Sequence, residues 1–168
     1  MDRLFVDTGA FIALNDTRDQ YHALATRFYE DIGEKRTPLL STNCILNEAY
    51  SWLQRQSGFR FPAAWRFGEW FRGVSSLAML RGSPETGRFG RAHRVEVTDP
   101  KKPFTLLYDD PAIEEEAWGF FAQHGASGAT YTDCIIFAVM KMLGLKRAFT
   151  FDEHFEGAGF SLVPGMGI

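Results

Sequence analysis

The apolar positions change period several times along the chain, and each change marks an element. Leu4-Phe5-Val6 is a short apolar burst ended by Asp7-Thr8-Gly9, which predicts a buried strand over Arg3–Val6 running into a turn. Between Asp19 and Ile32, Tyr21, Leu24, Ala25, Phe28, Tyr29 and Ile32 recur at helical spacing, with Gly33 as a natural stop. Pro38–Thr42 reads as a second strand. Thr42 or Asn43 then caps a helix that carries Ile45, Leu46, Ala49, Tyr50, Trp52 and Leu53 and ends near Gly58. Pro62 opens a further helix to Ser75 along Trp65, Phe67, Trp70, Phe71 and Val74. Phe104–Tyr108 is again strand-like. Asp109 or Asp110, followed by Pro111, starts a helix through Gln123 whose Glu114–Glu116 favour its first turns through the helix dipole. Tyr131–Leu143 is apolar almost all round and predicts a buried helix; Ala148–Phe151 and Ser161–Val163 are the last strands. Strands alternating with helices predict an α/β fold with a mainly parallel sheet flanked by helices.

One stretch breaks the alternation. Arg81 to Pro103 holds Gly82, Pro84, Gly87, Gly90, Pro100 and Pro103 among six basic residues, and only Arg94–Thr98 alternates like a strand. It reads as a basic Gly/Pro-rich insertion at about 81–103, either a twisted hairpin or a loop, within one domain spanning 1–168. Length supports that domain count: 168 residues suffice for one domain with a real core. At 45% apolar and 23% charged, the chain is neither disordered, collagen-like nor a disulfide scaffold.

Charge changes the picture more. Residues 1–54 carry 5 basic and 8 acidic side chains, 55–102 carry 10 and 4, and 103–168 carry 3 and 9. A net charge of −3 therefore conceals a basic middle between two acidic ends, the pattern of a polyanion-facing segment beside an acidic site or of a solvated basic face. Cys44 and Cys134 lie in apolar helical stretches without a C-x-x-C or a His/Cys cluster, so both are expected as buried reduced thiols. No apolar run approaches a membrane span, and the N-terminus reaches Asp2 and Asp7 too soon for a signal peptide. A cytoplasmic location is expected.

In open parallel sheets ligands bind beyond the carboxyl ends of the strands. Asp7 closes the first strand and Asp152 follows Ala148–Phe151, while Asp133 begins a helix after a Gly/Ser-rich loop. Glu48 lies about one turn into the helix after the second strand. Each acid has an ordinary role open to it: turn former for Asp7 and Asp152, first-turn residue for Asp133, solvated side chain for Glu48. Together they map to one edge of one sheet, and two of them sit on strongly apolar helices. Like charges at short range oppose ionisation, and a hard divalent cation removes the conflict; an all-oxygen site suits Mg²⁺ or Mn²⁺. Such a metal activates a water and stabilises the leaving oxygen of an in-line phosphoryl displacement. Thr8, Thr132 and Thr150 neighbour these acids and are candidates to orient carboxylates or waters.

Other chemistry finds little support. His22, His93 and His124 share no spacing, His154 is a turn histidine within reach of substrate, and no phosphate-binding glycine loop of either common type occurs. The four tryptophans are core candidates, one or two of which could stack on bases.

Phe5-Val6-Asp7-Thr8-Gly9-Ala10, Asn47-Glu48-Ala49, Thr132-Asp133-Cys134 and Phe149-Thr150-Phe151-Asp152-Glu153-His154-Phe155 resemble the PIN-domain family, and within it the VapC-type ribonucleases of toxin–antitoxin pairs. The order and spacing of these motifs carry the resemblance, which covers nearly the whole chain except the basic insertion. It implies a three-layer α/β/α sandwich and a Mg²⁺- or Mn²⁺-dependent endoribonuclease, with metal ligands at Asp7, Glu48, Asp133 and Asp152. It also implies a homodimer held inactive by a small cognate antitoxin. The same fold and chemistry would serve a housekeeping RNA-processing nuclease without antitoxin, and the basic segment alone would serve a non-catalytic RNA-binding module. Either way, Arg60, Arg66, Arg72, Arg88, Arg91 and Arg94 are the expected contacts to an RNA backbone.

Overall fold

A computed structural model describes residues 3–55, 61–79, 103–108 and 111–165. The basic insertion, the expected strand Arg94–Thr98, and Arg60, Arg88, Arg91 and Arg94 all lie outside the described residues.

Within them the chain runs β1 (Leu4–Val6), α1 (Thr8–Asn15), α2 (His22–Glu34), β2 (Leu39–Thr42), α3 (Asn43–Arg55), α4 (Phe61–Val74), β3 (Ser75–Met79), β4 (Phe104–Tyr108), α5 (Pro111–His124), α6 (Tyr131–Met142), β5 (Arg147–Phe149), α7 (His154–Gly157) and β6 (Ser161–Val163). The strands form one six-stranded sheet in the order β3-β4-β2-β1-β5-β6, with every pairing parallel. A parallel sheet needs both faces covered, and its central strands show it: all of Leu4–Val6 and all of Leu39–Thr42 are buried. Within it the Ser41 hydroxyl is satisfied by donating to the Val6 carbonyl at 3.0 Å.

Topology places the site. From β1 the chain builds outward through β2 to β4 and β3, then returns to the other side of β1 to lay down β5 and β6. The direction of winding reverses at β1, and the crevice beyond the carboxyl end of such a strand is where open α/β sheets bind ligands.

Two elements differ from expectation. The turn expected after β1 is absent: the chain passes from Val6 into α1, with Asp7 as N-cap accepting from the Gly9 amide. Ala10-Phe11-Ile12-Ala13-Leu14 is apolar on every side and so has no helical period to read, and its helix is buried at Ala10, Phe11 and Ala13. The helix expected to run to Ser75 stops at Val74, and β3 follows at once beside β4, in register Ser75↔Phe104. Ser75-Ser76-Leu77-Ala78-Met79 contains no β-branched or aromatic residue, so composition does not mark it as a strand.

An aromatic cluster locks α1 and α4 onto β4. The Phe11 ring lies 5.4 Å from Phe67, 5.8 Å from Phe71 and 5.7 Å from Phe104, and Trp70 joins the same group. Among the described residues no helix is long and apolar enough to cross a membrane. Cys44 and Cys134 are not disulfide-bonded; Cys134 is buried as expected, whereas Cys44 is only half-buried, with its sulfur 2.8 Å from the Thr42 hydroxyl.

Candidate metal centre

The cleft beyond β1 has a volume of about 700 Å³, and Asp7, Glu48, Asp133 and Asp152 all line it. Each is held differently. Asp7 caps α1, and its Oδ2 accepts from the Gly9 amide at 3.3 Å and from the Thr150 hydroxyl at 2.8 Å. Glu48 projects from α3, where Oε2 accepts from the Thr8 hydroxyl at 2.8 Å. Asp133 completes a capping box at the start of α6. Its Oδ2 accepts from the Thr130 amide at 2.7 Å and the Thr130 hydroxyl at 2.8 Å, and its own amide donates back to Thr130 Oγ1 at 3.1 Å. Asp152 follows β5, with Oδ1 accepting from the His154 amide at 2.9 Å and the His154 ring at 2.7 Å.

A common pattern emerges. In each of the four carboxylates the hydrogen bonds named above fall on a single oxygen. The Thr8 backbone holds Asp7 as well. Each acid is thus anchored where it lines the cleft.

Electrostatics show what is missing. Burial drives the Asp7 carboxyl up to about 7, opposed by its hydrogen bonds from Thr150 and the backbone and reinforced by Asp133. Burial likewise raises Asp133, against the Thr130 bonds and with added repulsion from Asp152 and Glu48. Among the described residues that line the cleft only His154 can carry positive charge. The His154 ring lies between the Asp152 carboxylate and the Ser127 carbonyl, 3.2 Å from Nε2. Both partners are acceptors, so both ring nitrogens donate only as imidazolium; the Asp152 hydrogen bond accordingly raises His154. Gly128, at φ +103°, makes room for that ring: a Cβ there would lie 3.1 Å from Nε2.

The donor set fits a hard divalent cation, which would supply the charge that these acids lack. Among the described residues no group of three His, Cys, Asp or Glu side chains stands ready to hold a metal ion. Mg²⁺ does not need one, because it keeps several waters and takes one or two carboxylates directly.

The PIN domain sequence profile matches residues 4–161. The chain belongs to the PIN-domain family. PIN domains are metal-dependent nucleases, which makes this chain a nuclease-class enzyme. It is 27% identical over 157 residues to the 23S rRNA-specific endonuclease VapC20 of Mycobacterium tuberculosis, covering 94% of this chain and 95% of that protein. The crystal structure of that VapC20, described as a sarcin-ricin loop cleaving toxin, superposes with a TM-score of 0.67 at 24% identity over 94% of this chain and 95% of the other. A DNA-bound VapBC from Salmonella typhimurium matches with a TM-score of 0.55 at 13% identity, covering 96% and 97%.

The remaining expected residues of this PIN domain fall in different places. Thr8 and Thr150 hold carboxylates directly. Thr132 is half-buried and does not line the cleft; the hydroxyl that holds Asp133 is that of Thr130. Thr130 was readable from sequence, since Thr130-Tyr131-Thr132-Asp133 has the spacing of a capping box. Arg66 and Arg72 are exposed on α4, which packs on α3, and neither lines the cleft.

Thr150 is wholly buried and joins two acids, donating to Asp7 and accepting from the Asp152 amide at 3.1 Å. Replacing Thr150 with Val keeps the shape and removes both bonds. Metal affinity, read by titration calorimetry, is expected to fall about 10- to 100-fold. Unchanged affinity would show that the hydroxyl does not position the acids.

Proposed function

We propose that the protein is a Mg²⁺- or Mn²⁺-dependent endoribonuclease and the toxin of a toxin–antitoxin pair. In this reading residues 1–168 form one domain, which acts as a cytoplasmic homodimer and is held inactive by a small cognate antitoxin. The observation that carries the catalytic reading is the anchoring of Asp7, Glu48, Asp133 and Asp152 around one cleft. The names of its relatives support the substrate and the partner: VapC20 is an rRNA endonuclease, and VapBC is a pair.

Asp7, Asp133 and Asp152 would hold the metal, and Glu48 would be a further ligand or a base that orients water. When bound, the ion polarises a phosphodiester and lowers the pKa of water. The chain's own part is to fix the acids. Thr150 pins Asp7, Thr130 pins Asp133, His154 pins Asp152 and Thr8 pins Glu48. Arg66 and Arg72, with Arg60, Arg88, Arg91 and Arg94, supply the cationic contacts to the RNA backbone that an acidic cleft cannot.

Incubation with total RNA tests the reading. Discrete cleavage ends bearing 5′-phosphates are expected with Mg²⁺ or Mn²⁺, and none with EDTA or with the Asp133→Asn protein. Cleavage that persists in EDTA would exclude the metal mechanism.

A further inference from the structure

The acids are not the whole cleft. Trp52, Tyr21 and Phe151 line it too, and each belongs to the same framework as a carboxylate. Trp52 follows Glu48 by one helical turn, so the two share a face of α3. Phe151 precedes Asp152 directly. Because α3 follows β2 and Phe151 follows β5, the aromatic residues come from strands on either side of β1 and Asp7.

The aromatic residues differ in their occupancy. Tyr21 and Phe151 stack on each other, centroids 4.3 Å apart and planes within 3°. They satisfy one another. Trp52 is half-buried against the core and, among the described residues, has no ring stacked on it. An indole beside a cluster of carboxylates, half exposed and without an aromatic partner, is suited to a flat, uncharged π surface. A nucleobase of single-stranded RNA is that surface, and its phosphate would reach the acids on the same helix face. Stacking also supplies attraction that a cleft lined by carboxylates cannot draw from charge.

We propose that Trp52 is the seat of a nucleobase flanking the scissile phosphate, a substrate-binding contact beside Glu48. This rests on the ribonuclease reading above. The other tryptophans do not share its position: Trp70 is packed among Phe11, Phe71 and Phe104, while Trp65 and Trp118 are exposed and do not line the cleft.

Steady-state cleavage of a single-stranded RNA oligonucleotide containing one mapped cut tests the seat. Trp52→Leu keeps apolar bulk without a π face, and Trp52→Phe restores a ring. KM is expected to rise about 10-fold in Trp52→Leu with kcat unchanged, and to return to within about 3-fold in Trp52→Phe. The same oligonucleotide made abasic at the two nucleotides flanking the cut should raise the wild-type KM equally and leave the Trp52→Leu KM where it is. A purely structural role would instead lower kcat and shift the half-saturating Mn²⁺ concentration through Glu48. An unchanged KM in Trp52→Leu, or additive effects of the variant and the abasic sites, overturns the seat alone. A wild-type protein that cleaves no RNA overturns the ribonuclease reading and the seat with it.

Discussion

Asp7→Asn is expected to lower cleavage by about 10³-fold or more while making the metal-free protein more resistant to unfolding at pH 8. Both effects come from one buried carboxyl. Asn keeps the N-cap of α1 and can still accept from Gly9 and Thr150 through its amide oxygen, so the local structure survives. The negative charge that holds a cation is lost. The stability effect follows from linkage: Asp7 is raised from 3.8 to about 7 in the folded protein. A group raised in this way stabilises fully below its unfolded value, and that contribution is lost as pH climbs through the folded value. Ionising Asp7 between pH 4 and 7 therefore costs the metal-free protein on the order of 4 kcal/mol, which the Asn variant does not lose. Adding Mn²⁺ should reverse the ranking, because a ligand that binds only the folded wild type raises its melting temperature. Thermal melts at pH 5 and pH 8, with EDTA and with Mn²⁺, check all of this. A wild type that melts above Asp7→Asn in EDTA at pH 8 would contradict the assignment of an unsatisfied buried charge.

Phe11→Ala is expected to destabilise the fold by about 3–5 kcal/mol. The side chain is 1% exposed and lies within ring-contact range of Phe67, Trp70, Phe71 and Phe104. Its removal leaves a cavity at the junction of α1, α4 and β4, bounded by large rings that cannot collapse into it. A drop in melting temperature of about 10 °C should follow for a domain of this size. The site feels it as well, since α1 opens at Asp7 and carries Thr8 to Glu48. A loss below about 1 kcal/mol in urea denaturation would show that the aromatic cluster is not the anchor of α1.

The contrast between Phe11 and Asp7 shows what could be read from residues alone. Asp7 and Asp133 are recognisable because each stands where an apolar element begins or ends, and periodicity locates those ends; Glu48 is recognisable because it lies about one turn into the helix after the second strand. Asp152 was placed directly at a strand end, yet β5 stops at Phe149 and the loop geometry through Thr150 brings it to the cleft. The helix carrying Phe11 had no signal, because a segment apolar on every side gives neither a helical nor a strand period. Thr132 and Thr130 illustrate a finer limit. Both neighbour Asp133 in the chain, and only the cap position, with its extended backbone at φ −73° and ψ 165°, turns a hydroxyl back onto the carboxylate. Trp52 was one of several core-like tryptophans until the position of Glu48, one turn before it, gave its face a meaning.

The bond between Thr150 and Asp7 spans 143 positions of the chain. It forms only when β5 enters the sheet beside β1, so the first acid of the site waits on nearly the last strand. At ordinary rates of translation that interval is on the order of ten seconds. For most of that interval a ribosome-borne chain holds Asp7 and, once it is made, Glu48; Asp133 joins them only near its end, and Asp152 and the hydroxyl that ties two of the acids together come last. Synthesis order thus works as a delay line: the nascent chain emerging beside ribosomal RNA has no assembled set of acids until Thr150 and Asp152 have been made.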